Sequence, residues 1–179
     1  MKKTITFLTI FLSFFVVKAQ DESSNENNKD KNLFKNSNEV KLNGLYLLAG
    51  AFEVSYEYLL NEESGIGITV LLPFDNEVKD DIKYYISPYY RHYFGEKYAG
   101  GFFVEGFGML NSSSREFLGN ENSEFVTDFA LGLGFGGKWI SRRNVIFELS
   151  FGLGRNLFKQ DETDFDLVGK GGFNIGFRF

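Results

Sequence analysis

The sequence predicts an all-β protein, an eight-stranded antiparallel up-and-down transmembrane β-barrel. Three observations carry that expectation. Stretches of about ten residues alternate apolar and polar side chains with a period of two, which is the periodicity of a strand and close to the length of a tilted membrane crossing. The composition holds Gly 20, Phe 22 and Tyr 9 against Pro 2 and Trp 1, a load that suits strands and turns, since glycine is costly inside a helix. The last stretch, residues 169–179, sets Phe173, Ile175, Phe177 and Phe179 on one face and Lys170, Gly172, Asn174, Gly176 and Arg178 on the other. A greasy outer face and a small-or-charged inner face are what a barrel wall in lipid requires.

The chain of 179 residues is enough for one domain. Residues 1–19 read as a secretory signal peptide. Lys2 and Lys3 form its charged start, residues 5–17 its apolar run, and Val17-Lys18-Ala19 a small residue before the cleavage site. The run is shorter than the ~20 residues a spanning helix needs. Losing Lys2, Lys3 and Lys18 takes the formal charge of −5 three units further negative, so nucleic acid is an unsuitable partner. The absence of cysteine excludes a disulfide scaffold, a thiolate metal site and a lipid-modified N-terminal cysteine. No other apolar run suits a membrane helix, and an open sheet edge in lipid leaves backbone groups unpaired, so a membrane chain of this kind must close into a barrel.

Residues 20–38 are Asn, Ser and mixed charge and read as a disordered tail, with Leu33-Phe34 an incidental apolar pair. The barrel is expected over 39–179. Strand one, 40–48, faces Val40, Leu42, Tyr46 and Leu48 outward and Lys41 and Asn43 inward, and Ala49-Gly50-Ala51 turns it. Strand two, 52–60, puts Phe52, Val54, Tyr56 and Tyr58 out and Glu53, Ser55 and Glu57 in. Strand three, 65–74, shows Ile66, Ile68, Val70 and Leu72 outward, and a polar loop over 75–81 follows. Strand four, 82–94, faces Tyr84, Ile86, Pro88 and Tyr90 out and Lys83, Tyr85, Ser87, Tyr89, Arg91 and Tyr93 in. Pro88 lacks an N–H and belongs at a bulge or an unpaired position.

Strand five, 100–110, sets Phe102, Val104 and Leu110 against Phe103, Glu105 and Phe107, and the longest loop spans 111–124. Strand six, 125–139, has Phe129, Leu131, Leu133, Phe135 and Trp139 out and Asp128, Ala130, Gly132, Gly134, Gly136 and Lys138 in. Strand seven, 145–153, sets Val145, Phe147, Leu149, Phe151 and Leu153 against Glu148, Ser150 and Gly152. An acidic loop over 155–167 leads to the last strand. Connections after strands two, four and six are short, and those after three, five and seven are longer and acidic, the asymmetry of an outer-membrane barrel.

A signal peptide, eight alternating strands and a terminal aromatic resemble the small outer-membrane β-barrel proteins of the OmpA and OmpX transmembrane type, over roughly 39–179. Within that span, Pro88-Tyr89-Tyr90-Arg91-His92-Tyr93 with Tyr56-Glu57-Tyr58 is similar to a group of uncharacterised barrels of Gram-negative bacteria. The resemblance implies that Phe173, Ile175, Phe177 and Phe179 form the C-terminal signal read by the barrel-assembly machinery. It implies outer-membrane lipid and lipopolysaccharide as surroundings. No peptidoglycan-binding domain of the full-length OmpA kind follows the barrel, so no cell-wall tether is expected.

The strongest constellation is ionic. Glu57, Arg91, Glu105, Lys138, Glu148 and Arg178 all point inward in the half of their strands nearer the short turns. Eight strands leave an interior just wide enough for side chains to fill, and single buried charges would cost several kcal/mol each. A paired polar plug is therefore expected in preference to an ion gate. The single histidine, His92, has the outward parity, with no serine foreseen beside it. It belongs with an interfacial aromatic belt of Tyr58, Tyr90, Trp139 and Phe179, and no catalytic residue is assigned.

Leu131-Gly132-Leu133-Gly134-Phe135-Gly136-Gly137 imitates a dinucleotide-binding motif but is not followed by a helix. Glycines that make room for inward charges explain it better. The clusters Asp75, Glu77, Asp80, Asp81 and Asp161, Glu162, Asp164, Asp166 lack the spacing of a calcium loop and read as solvated loops. No cofactor or metal is expected. The expected role is structural or interactive at the cell envelope, with a loop partner that the sequence leaves open. The alternatives are a barrel binding a small apolar ligand and, last, a lipid-modifying enzyme.

Overall fold

In the computed structural model, residues 36–115, 124–158 and 167–179 are described. The expected signal peptide, nearly all of the tail, the tip of the 111–124 loop and the Asp161–Asp166 cluster lie outside them. Eight strands close into one barrel, each paired antiparallel with its neighbours in sequence and the last paired with the first. They are β1 Asn38–Asn43, β2 Ala51–Leu59, β3 Ser64–Pro73, β4 Ile82–Tyr93, β5 Gly101–Arg115, β6 Glu124–Ile140, β7 Val145–Asn156 and β8 Leu167–Arg178. Two short helices, α1 Gly44–Ala49 and α2 Asn76–Asp81, sit in the connections after β1 and β3.

The facing follows the period of two. Ser55, Glu57 and Leu59 of β2 are buried, while Val54, Tyr56 and Tyr58 are exposed. The decisive residues lie on β7 and β8. Phe147, Leu149, Phe177 and Phe179 are 41, 56, 49 and 51% exposed, whereas Glu148 is 1% and Arg178 0% exposed. On these two strands the ions point to the axis and the phenylalanines point away from it.

Several expectations need correction. Strand one ends at Asn43, and Gly44-Leu45-Tyr46-Leu47-Leu48-Ala49 is helical. Tyr46 and Leu48 fit a strand alternation, but Leu45 and Leu47 fill the opposite parity, and Leu and Ala are strong helix formers. Both helix ends are capped. Asn43 Oδ1 accepts from the Leu45 and Tyr46 amides at 3.0 and 3.3 Å, and Gly50 at φ +100° donates its N–H to Tyr46 O. The polar loop after strand three holds α2, whose N-cap Asp75 accepts from Glu77 N at 2.9 Å.

β5 and β7 run beyond their expected ends, into the stretches read as loops, to Arg115 and Asn156. Lys83 is exposed rather than inward, because a register irregularity between Ile82 and Tyr84 turns it out, and its ammonium lies 3.9 Å from the centre of the Phe125 ring. Pro88 pairs with Ile68 on β3. On its other side the β4–β5 ladder skips from Ile86↔Leu110 to Tyr89↔Phe107 without changing register. It sits at a gap and not at a bulge.

Inside, the barrel divides by height. The half toward the longer connections centres on an apolar group, in which Ala51, Leu71, Tyr85, Tyr89, Phe107, Met109 and Ala130 pack together with Tyr46 of α1 and Val78 of α2 against them, and it also buries Asn111, Asp128 and Asn156. The half toward the short turns is ionic. Below it, Leu59, Tyr93, Ala99 and Phe103 form a second apolar group with Tyr98.

Candidate functional site

Each charged residue of the lower half reaches the axis because it alternates with outward apolar neighbours on a strand of fixed register. β1 supplies Glu39 and Lys41, β2 Glu57, β4 Arg91, β5 Glu105, β6 Lys138, β7 Glu148 and β8 Lys170 and Arg178. The six residues expected from the sequence come together, and they are joined by three that the expected set omits: Glu39, Lys41 and Lys170.

The ties form one connected set. Arg178 Nη2 binds Glu39 Oε1 at 2.6 Å, and Glu39 Oε2 receives Lys138 Nζ at 2.7 Å. Lys138 also approaches Glu57 at 3.3 Å. Glu57 takes Lys41 Nζ at 2.6 Å and Arg91 Nη1 at 3.2 Å. Lys41 and Arg91 both reach Glu148 Oε2, each at 2.7 Å. Arg91 Nε donates to Glu105 Oε2 at 2.7 Å, and Lys170 Nζ lies 2.9 Å from the other Glu105 oxygen.

Neutral groups complete the coordination. Tyr93 and Tyr89 donate their hydroxyls to Glu57, and the Asn174 amide reaches Glu148 at 3.4 Å. The Arg91 guanidinium lies 4.1 Å from the centre of the Phe103 ring and 4.5 Å from that of Tyr89, where the ring faces attract a cation.

A tenth charged side chain, Glu53, lies one layer higher, holding the Asn43 amide at 2.8 Å and the Tyr85 hydroxyl. With Glu53 counted, these residues are five carboxylates and five cations, so their formal charges cancel. The parity that marks Glu57 also marks Glu53, and the parity of Arg178 marks Lys170. Glu39 has the facing of Lys41 but stands at the edge of the polar tail, where an alternation is hardest to start.

Toward the short turns the ionic set meets a backbone segment. The connection over 94–100 folds inward. Arg178 Nη1 donates to Tyr98 O and Nη2 to Ala99 O, both at 3.0 Å, while Ala99 N donates to Glu62 O at 2.7 Å.

The glycine-rich run of β6 also has a role in packing. A Cβ at Gly132 would stand 2.3 Å from the Phe107 ring, and one at Gly136 would stand 2.5 Å from the Phe103 ring. Glu105 crowds Gly134 less closely, at 2.9 Å. The room is made chiefly for two aromatic rings, with a charge between them, and not for charges alone.

Tyr58, Tyr90 and Trp139 are exposed on the outer face, as are Phe173, Ile175 and Phe177 of β8 and the following Phe179. His92 lies on the same face, edge-on to Phe94 with ring centres 4.8 Å apart. Ser64 stands opposite it in register, a neighbour absent from the sequence expectation because it enters β3 straight from a turn. Among the described residues His92 has no hydrogen-bonded carboxylate, and no group of three or more metal-ligating side chains occurs.

No protein-family model matches the chain, and no curated protein matches it by sequence. Among solved structures, the chain is similar to the N-terminal β-barrel domain of Pseudomonas aeruginosa OprF, at 16% identity and a TM-score of 0.60, over 80% of this chain and 98% of that one. The two share a closed β-barrel fold. Neisserial surface protein A also aligns, at 14% identity and a TM-score of 0.47 over 79% of this chain and 94% of that one.

Proposed function

We propose that the chain is an outer-membrane β-barrel protein with a closed, ion-paired lumen and a structural or interaction role at the cell envelope. The observation that carries this reading is the facing of the wall: charges buried on the axis and phenylalanines, leucines and tyrosines exposed all round. A water-soluble barrel built for an apolar ligand needs the reverse. Strands closed into a ring with an apolar exterior suit a lipid bilayer.

The closed lumen rests on the ionic set and on the inward-folded 94–100 connection beneath it. Buried charges are tolerated when each is paired and its remaining hydrogen-bonding capacity is used. Nine interlocked side chains in a barrel of eight strands leave side chains rather than water on the axis. The chemistry of His92, without a carboxylate partner among the described residues, gives no support to catalysis.

In this reading the signal peptide is removed after Ala19. Phe173, Ile175, Phe177 and Phe179 are read by the barrel-assembly machinery, and Tyr58, Tyr90 and Trp139 lie near a membrane–water interface. Lipopolysaccharide surrounds the half nearer the longer connections, whose protein partner is open.

Membrane fractionation with gel mobility before and after boiling tests the placement. Recovery in the outer membrane with heat-dependent mobility is expected; a soluble monomer recovered without detergent refutes it. Planar-bilayer recording tests the closure. Steady, frequent conductance steps from the folded protein would refute the closed lumen while leaving the membrane placement standing.

A further inference from the structure

The wall of the barrel is not continuous at every height. The ladder of β1 to β2 stops at Leu42↔Val54, and its ladder to β8 stops at Asn43↔Asn174. β2 nevertheless extends to Ala51 and β8 back to Leu167, each still paired with its other neighbour. Above Asn43, therefore, β8 and β2 face each other with no strand between them. In an apolar medium an uncovered edge of this kind leaves backbone donors and acceptors without partners.

α1 occupies the gap. Its six residues rise about 9 Å at the helical ~1.5 Å per residue, close to the about 7 Å that β2 climbs from Glu53 to Ala51. It touches both β8 and β2. Its end groups are met in part by caps, with Asn43 accepting from the Leu45 and Tyr46 amides and Gly50 donating to Tyr46 O. Asn43 forms the sill: its amide donates to Glu53 Oε1 at 2.8 Å and to Gly171 O at 3.2 Å, joining β2 to β8 where the backbone ladders end.

The two sides of the gap are both apolar. α1 carries no charged residue. Leu45 and Leu48 are exposed on it, Leu48 at 88%, and Phe52 and Phe173 are exposed on the strands beside it. The height belongs to the apolar band of the exterior, since Gly169 of β8 is level with the outward Leu153 of β7. On the inner side, Tyr46 packs against the group that holds Ala51, Leu71, Tyr85 and Met109. Two of its members are alanines and one is a methionine, the side chain that best adapts to a changed neighbour.

We propose that α1 is the stopper of a lateral opening between β8 and β2, through which the hydrocarbon chain of a membrane amphiphile reaches the apolar group of the upper lumen in the place that Tyr46 fills. The occupant follows from position. At this height a barrel in a bilayer meets acyl chains, the outward face of the opening carries no charge, and on the inner side the Glu53 carboxylate is taken up by Asn43 and the Tyr85 hydroxyl. The headgroup stays outside the wall, and the chain stops above Glu53 and the ionic set. The proposal rests on the membrane reading and is independent of the closed lower lumen.

The test uses the full protein refolded into phosphatidylcholine vesicles in which a fraction of the lipid carries a photoactivatable diazirine in one acyl chain. Heat-dependent gel mobility verifies folding before irradiation, and mass spectrometry of the digest locates the adducts. Adducts on the inward residues Leu71, Tyr85 or Met109, in addition to the outward Phe52, Leu72 and Phe173, are expected. In Asn43→Ala, which loosens the sill, the inward share of adducts should rise severalfold.

Adducts confined to outward residues in the wild-type chain overturn the opening and leave the membrane reading intact. Inward adducts that appear only in Asn43→Ala overturn it for the native protein. A folded protein with no adducts on outward residues overturns the membrane reading and the opening together.

Discussion

The two halves of the lumen solve the same problem, filling a narrow cylinder, by different physics. The half near the short turns uses charge. Lys41 of β1 holds Glu57 of β2 and Glu148 of β7, and Arg91 of β4 holds residues of β2, β5 and β7. Three of these bonds, Lys41 to Glu148 and Arg91 to Glu57 and Glu148, join strands that are not neighbours in the sheet, and each has direction as well as strength. The other half uses shape, with aromatic rings, methionine and alanines in contact. The difference teaches which half specifies the strand register. A one-residue slip turns every inward side chain outward. For the apolar half that exchange is mild, but for the ionic half it would place bare charges against hydrocarbon.

The sharpest way to break this contrast is Glu57→Ala. It leaves Lys41, Arg91 and Lys138 short of a common carboxylate, and breaking buried pairs of this kind costs about 3–5 kcal/mol. Urea unfolding from lipid vesicles, followed by gel mobility, should show the folded form lost at markedly lower denaturant. Arg91→Ala should fall slightly below that, at roughly 3 kcal/mol, because Lys41 still serves Glu57 and Glu148. Its melting temperature in detergent should drop, and an unchanged one would argue that the network does not hold the barrel.

In the apolar half, Met109→Ala removes buried volume without stranding a charge, and a cost of about 2–3 kcal/mol is expected at the low end of the range for such cavities. Should Met109→Ala prove more damaging than Glu57→Ala, the division of labour argued above is wrong. Smallest of all is Asp75→Ala, which removes the N-cap of α2 at about 1 kcal/mol or less. Hydrogen exchange should quicken at Glu77 and its neighbours and stay unchanged in the strand ladders.

The facing of the strands was legible because the wall imposes one rule, apolar out and polar or small in, over eight segments at once. That is why Glu57, Arg91, Glu105, Lys138, Glu148 and Arg178 could be assembled before any distance was known. The helices were harder to read. Tyr46 and Leu48 satisfy a strand period, and the helix shows only in Leu45 and Leu47 on the other parity and in the caps Asn43 and Gly50. Strand ends were least legible where β5 and β7 run into polar sequence. Asn111 and Asn156 bond to each other at 3.0 Å inside the barrel, and a buried pair of polar side chains has the same sequence appearance as a loop. Lys83 was misplaced by an irregularity of the backbone, which leaves no mark on the alternation.

Glu39 and Arg178 face each other across the joint between β1 and β8 and are 139 positions apart along the chain. Neither can be neutralised by the other until the sheet has curled through its full circumference. While the cylinder is open, its first and last strands each carry a bare ion toward the interior. The ring is thus fastened by an electrostatic clasp, and leaving it undone costs both ions their mutual pairing.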